Sequence, residues 1–181
     1  MLKSLPILLA LLLMPGLAAA EPRAGFHTGP VFTAFGDIAT VESDLPISEG
    51  TVFRVLFNVS QKATPGEVSR AIDSAARFIN MHVEAGVPLE DIHVAIVVHG
   101  PASFDLVDQA LYAERNEGAS NGSAQMVAEL TAHGVDIWLC GQSAVAYGIS
   151  NSDLLPGVKM ALSAMTASAL LQQQGYTLNP G

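Results

Sequence analysis

Two rhythms of apolar residues alternate along the chain. Residues 52–60 alternate and then turn apolar at Val55, Leu56, Phe57 and Val59, which predicts a first core strand. Thr64-Pro65-Gly66-Glu67 reads as a capping box with proline at the first helical position. Val68, Ala71, Ile72, Ala75, Phe78, Ile79 and His82 then recur at helical spacing until Gly86. Residues 92–98 are apolar except His93, as expected of a strand covered on both faces, and they end at His99-Gly100-Pro101. A helix is predicted over 103–112, with Phe104, Val107 and Leu111 inward, then a polar loop over 113–122 and a helix ending at His133-Gly134. Val135 to Leu139 is an apolar run that empties through Cys140 into Gly141-Gln142-Ser143 and a following helix. Val158, Met160 and Leu162 alternate as another strand, residues 166–174 form a helix stopped by Gly175, and 176–178 add a short edge strand. The order predicts a three-layer α/β/α domain over residues 51–181, with a mainly parallel sheet of four to five strands.

The two ends of the chain read differently. Met1-Leu2-Lys3, an apolar stretch over 5–13 and Ala18-Ala19-Ala20 form a secretory signal, so residues 1–20 are expected to be removed and the protein to be periplasmic in a Gram-negative source. The apolar stretch is too short to span a bilayer, and the run over 158–171 is broken by Lys159 and polar residues. Residues 21–50 are rich in proline and glycine and predict an extended arm, with a hairpin turning at Gly36-Asp37, laid against the domain or a neighbouring subunit.

Charge narrows the partners. The formal charge is -9 and becomes -10 once the signal, whose one charged side chain is Lys3, is gone. Nucleic acid and anionic membranes would be repelled. The chain has no Gly-rich dinucleotide loop, no Walker sequence and no Cys/His spacing for zinc, so no cofactor or metal is expected.

Chemistry then concentrates on the one cysteine. Ligands in open α/β sheets collect outside the carboxyl ends of the strands, here Ser60, His99, Cys140 and Ser163. Burial beside Trp138 and Leu139 would raise the thiol pKa, while the amides of Gly141, Gln142 and Ser143 at a helix start would lower it; the sequence leaves the winner open. His99 would face Cys140 if their strands are neighbours. An imidazole there could take the thiol proton, or simply bond the turn backbone, and both readings stand. His27 reads as a surface residue, His82 as a core histidine, His133 as a helix cap, and Met160 and Met165 as packing. Loop 113–122 is either a solvated loop or a lid, with Arg115 a candidate for holding an anion.

Leu139-Cys140-Gly141-Gln142-Ser143-Ala144 followed by Tyr147-Gly148-Ile149 resembles the cysteine turn of the DsrE/DsrF-like family, with Tyr147 where sulfur-transfer members carry Arg. Ala76-Arg77-Phe78-Ile79-Asn80-Met81, Val97-Val98-His99-Gly100-Pro101-Ala102, Ser163-Ala164-Met165-Thr166-Ala167 and Gln174-Gly175-Tyr176 resemble its exported branch. The resemblance implies trimers or hexamers with sites near subunit contacts, and a sulfur compound or sulfur-transfer protein as partner. Three functions follow: a persulfide carrier using Cys140 with His99 as proton partner, a non-catalytic binding or assembly module in which Cys140 is merely buried, and, more weakly, a Cys-His hydrolase for which the sequence identifies no residue to orient His99.

Overall fold

A computed structural model describes residues 24–179; the expected secretory signal, residues 1–20, lies outside the described residues. Five strands, β1 (Phe53–Val59), β2 (Ile92–Val98), β3 (Asp136–Cys140), β4 (Lys159–Ala161) and β5 (Thr177–Asn179), form one wholly parallel sheet in the order β4-β3-β2-β1-β5. Five helices connect or follow them: α1 (Arg70–Glu84), α2 (Gln109–Arg115), α3 (Ala124–Ala132), α4 (Gly141–Tyr147) and α5 (Ala164–Gln173).

The strand order decides how the sheet is covered. From β1 to β4 the chain steps always in the same direction, and crossovers of one hand stepping one way stack their helices on one face. That face holds the main core, where Val55, Phe57, Val59, Val94, Ile96, Val98, Ile137 and Leu139 meet residues of α1, α3 and α4. The return from β4 to β5 reverses the step and carries α5 to the other face, where a smaller core joins Leu56, Ala95, Val97, Ala167 and Leu171, with Trp138 and Tyr176 against it. The second layer is one helix thick.

Two helix starts differ from the sequence pattern. Thr64-Pro65-Gly66-Glu67 is a turn, with the Glu67 N–H on the Thr64 carbonyl at 2.9 Å, and α1 begins later with Ser69 as its cap. Distant partners hold the turn: the Ser69 N–H donates to Ser123 Oγ and the Gly66 N–H to Tyr112 Oη. Gly122 approaches so closely that a Cβ there would sit 2.5 Å from the Gly66 carbonyl oxygen. The helix expected over 103–112 is a 3₁₀ segment, Gly100–Leu106, followed by α2, whose cap is Asp108.

The arm is packed rather than merely extended. His27 and Ile38 bridge antiparallel and close residues 28–37 into a loop, so the turn is wider than one at Gly36-Asp37. Asn80, fully buried on α1, holds this loop with its whole amide: Oδ1 accepts from the Val31 and Phe32 N–H groups, and Nδ2 donates to the Phe32 and Gly36 carbonyls. Buried Phe32 then packs edge-on to His133, the cap of α3.

Asp105 in the 3₁₀ segment is fully buried. Its Oδ2 accepts one bond, from the Ala63 N–H at 3.0 Å, and its Oδ1 has no partner. Burial pushes its pKa from 3.8 to about 6, against the opposing pull of that N–H and of the Lys62 charge. A folded-state pKa raised this way contributes stability that is fully present below the unfolded value and is lost as pH rises through about 6. Relative to Asp105→Asn, the protein should lose on the order of 2–3 kcal/mol of unfolding free energy between about pH 4 and about pH 7.5. Denaturant titrations of both proteins across that range measure it, and parallel profiles would refute it.

Candidate functional site

Alternation along the strands places the site. Leu56 and Asn58 of β1, Ala95 and Val97 of β2 and Trp138 of β3 share the α5 face, and His99 and Cys140, each two residues further on, continue those rows. Val98 pairs with Leu139, so His99 and Cys140 occupy the next rung of two neighbouring strands. The two residues expected to meet are indeed brought to one place, although no hydrogen bond joins them. They open into a cleft of about 440 Å³, lined also by Asn58, Gln142, Ser143, Ser163, Ala164, Met165 and Ser168.

Cys140 is the last residue of β3 and the N-cap of α4. The β3 connection runs to the main-core face while the β4 connection crosses to α5, so adjacent strands send their chains to opposite faces at this point. Such a switch opens a crevice, and here it aims two helix N-termini at one sulfur. Burial is the strongest single influence on the thiol and pushes its pKa up. The dipoles of the Ser143 N–H and hydroxyl, the Ala164 N–H and the Gln142 N–H together outweigh it and hold the thiol below its ordinary value, acting as nearby dipoles because Cys140 makes no side-chain capping hydrogen bond at the start of α4. The side chain is only 6% exposed, yet that small exposure faces the cleft.

Ser143 connects the two strand ends, because its Oγ also accepts the Gly100 N–H at 3.0 Å. Gln142 Nε2 donates to the Leu162 carbonyl at 3.3 Å and ties the turn to the β4–α5 connection. Gly141, expected as an amide donor to sulfur, is not among the groups that lower the thiol pKa. Its role is spacing: a Cβ at Gly141 would lie 2.6 Å from the Ala161 carbonyl oxygen, so only glycine lets α4 start this close to β4. The third amide comes instead from Ala164, one residue beyond Ser163, which caps α5 through its Oγ on the Thr166 N–H. A backbone donor leaves no mark in sequence. Asn58 was also missed; its signal is the single polar residue within the apolar run from Val55 to Val59.

Other candidates lie elsewhere. Ser60 ends β1 but does not line the cleft, and no residue of 113–122 covers the thiol. Arg115 pairs with Glu114 and stands over the Phe104 ring. Tyr147 packs on that same ring, with centroids 5.2 Å apart. His82 bonds the Phe78 carbonyl within its own helix, His133 bonds the Glu129 carbonyl, and exposed His27 pairs with Glu84. Among the described residues no cluster of His, Cys, Asp or Glu suits a metal ion, and no helix is long and apolar enough to cross a membrane.

An all-parallel α/β domain carrying a donor-held thiol at its topological switch point defines the class. The chain belongs to the DsrE/DsrF-like family, whose sequence profile matches residues 52–180. Its fold is similar to that of a protein of unknown function, MTH1491 from Methanobacterium thermoautotrophicum, at a TM-score of 0.53 and 22% identity, over 70% of this chain and 97% of that one. The ychN protein from E. coli aligns over 70% of this chain and 97% of its own, with a TM-score of 0.49 and 17% identity. No curated protein matches.

Removing the Ser143 hydroxyl deletes one charge-directed donor while leaving the backbone amide in place. In Ser143→Ala the pH midpoint of Cys140 alkylation by iodoacetamide should move up by about 1 unit, the equivalent of one hydrogen bond to a charged group. An unmoved midpoint would show that the hydroxyl does not hold the thiolate.

Proposed function

We propose that this protein is an exported, periplasmic sulfur carrier that takes a sulfane sulfur onto Cys140 and passes it to another thiol. The observation that carries the reading is the donor set on one sulfur: three amide N–H groups and a hydroxyl favour the thiolate, at the base of an open cleft that no carboxylate lines. The thiolate is the nucleophile in sulfur exchange, and carriage requires little else.

The step balances without an outside oxidant. Cys140 S⁻ attacks the outer sulfur of a persulfide R–S–SH, a new S–S bond forms at Cys140, the donor S–S bond breaks, and R–S⁻ leaves with the electron pair. The proton given up by the Cys140 thiol returns to R–S⁻, with His99 as the shuttle lining the same cleft. The products are Cys140–S–SH and R–SH. Delivery is the same exchange run toward an acceptor thiol.

Intact mass after incubation with polysulfide tests the reading. The protein should gain one sulfur atom that dithiothreitol removes, and Cys140→Ser should gain none. No gain in the native protein would favour a binding or assembly module, while turnover of thioesters without sulfur gain would favour a hydrolase.

The carrier is also proposed to work as a homo-oligomer of three or six subunits. Leu162 before α5 and Met165 and Leu170 on α5 are exposed apolar side chains on the layer that a single helix covers, and Val145 on α4 is another exposed apolar side chain. Light scattering after gel filtration should give a multiple of the chain mass, and Leu162→Asp with Met165→Asp should give monomer. A native protein that is already monomeric at micromolar concentration would rule this out.

A further inference from the structure

His99 has two ring nitrogens, and the structure distinguishes them. Its Nε2 lies 2.7 Å from Asn58 Oδ1. A side-chain carbonyl oxygen only accepts, so the ring nitrogen facing it must carry the proton. Among the described residues Nε2 is the ring nitrogen of His99 that has a hydrogen-bond partner. The geometry behind this contact is firm at the backbone. His99 continues β2 in an extended conformation, and its N–H donates to the Val59 carbonyl at 2.9 Å. Asn58 pairs with Val97, so the two side chains are diagonal neighbours on one face of paired parallel strands.

We propose that Asn58 is a positioning residue: its carbonyl fixes neutral His99 as the Nε2–H tautomer, leaving Nδ1 as the base available to the Cys140 thiol. This rests on the reading of Cys140 as a reactive thiol, and it supplies what the sequence alone lacked, a group that orients the histidine. The protonated ring keeps its Nε2–H bond to Asn58, so the same contact also stabilises the imidazolium formed when the thiol gives up its proton. Among the described residues Cys140 is the only other titratable side chain lining the cleft, so none of them offers a competing titratable acceptor there. Asn58 touches neither sulfur nor donor in this role; it acts through His99.

Long-range ¹H–¹⁵N NMR of the uniformly labelled protein, with His99→Gln to assign the ring, reads the tautomer directly. In its neutral form the His99 ring should show a protonated Nε2 and a bare Nδ1. Asn58→Ala should give a tautomer mixture and slow Cys140 alkylation at neutral pH by about 5- to 10-fold, the worth of one hydrogen bond at a charge-bearing group. Asn58→Asp restores an acceptor oxygen, and should restore the Nε2–H form. A purely structural Asn58 would change unfolding but neither the tautomer nor the alkylation pH profile. The inference is overturned by an Nδ1–H ring in the native protein, or by Asn58→Ala leaving tautomer and profile unchanged. If the ring and the alkylation respond as expected while Cys140 gains no sulfur from polysulfide, sulfur carriage fails and the role of Asn58 stands.

Discussion

One reversal in the path of the chain governs this molecule. Three connections step the same way across the sheet and stack their helices on one face; the fourth turns back and lays α5 on the other. At the point of reversal, β3 and β4 send their chains apart, and the first turns of α4 and α5 converge on Cys140. The cleft, the thinness of the second layer and the exposed apolar side chains on it all follow from that single change of direction. Gly141 permits it locally, because any side chain there would strike the Ala161 carbonyl.

Two buried acids show how burial and fixed dipoles set ionisation in this protein. Cys140 ends β3 and Asp105 lies in the 3₁₀ segment that follows β2, and burial is the largest influence on each. Asp105 has one amide donor and an empty second oxygen, and burial wins. Cys140 has three amides and a hydroxyl, and the donors win. The number of fixed dipoles aimed at the charge decides the sign. This matters because Tyr147 stands where sulfur-transfer relatives were expected to carry Arg, and it packs on Phe104 instead of bringing a charge. Amide and hydroxyl dipoles that favour the thiolate require no counter-ion beside it, which suits an acidic chain with no charged side chain of the described residues lining the cleft.

The arm braces the opposite side. Asn80 replaces the missing sheet partner of residues 31–36 with four side-chain bonds, and Asp73 and Arg77 on the same helix face add bonds to Gly36 and Asp37. Polar residues at one edge of α1 thereby fasten an irregular segment over its apolar neighbours, which keeps the main-core face closed while the α5 face stays open. The asymmetry of the two layers is a property of the side chains as well as of the topology.

Much of the architecture was legible in the residues. Periods of 2 and 3.6, broken by glycine and proline, are local signals, and they marked all five strands, the long first helix and the cysteine at a strand-to-helix turn. Where two local signals competed, tertiary partners chose: Ser69 rather than Thr64 caps α1 because Ser123, Tyr112 and Gly122 hold the earlier residues as a turn. The site was legible as Cys140, Ser143, Gln142, His99 and Ser163. Ala164 contributes a backbone N–H, which every residue but proline possesses, and Asn58 acts on His99 across 41 residues. By itself the sequence determined which segments become strands and where a thiol would stand at the end of one. Only the folded sheet, through its register and its one reversal, decided which distant dipoles that thiol meets, because hydrogen bonds are set by position in space and carry no periodicity along the chain.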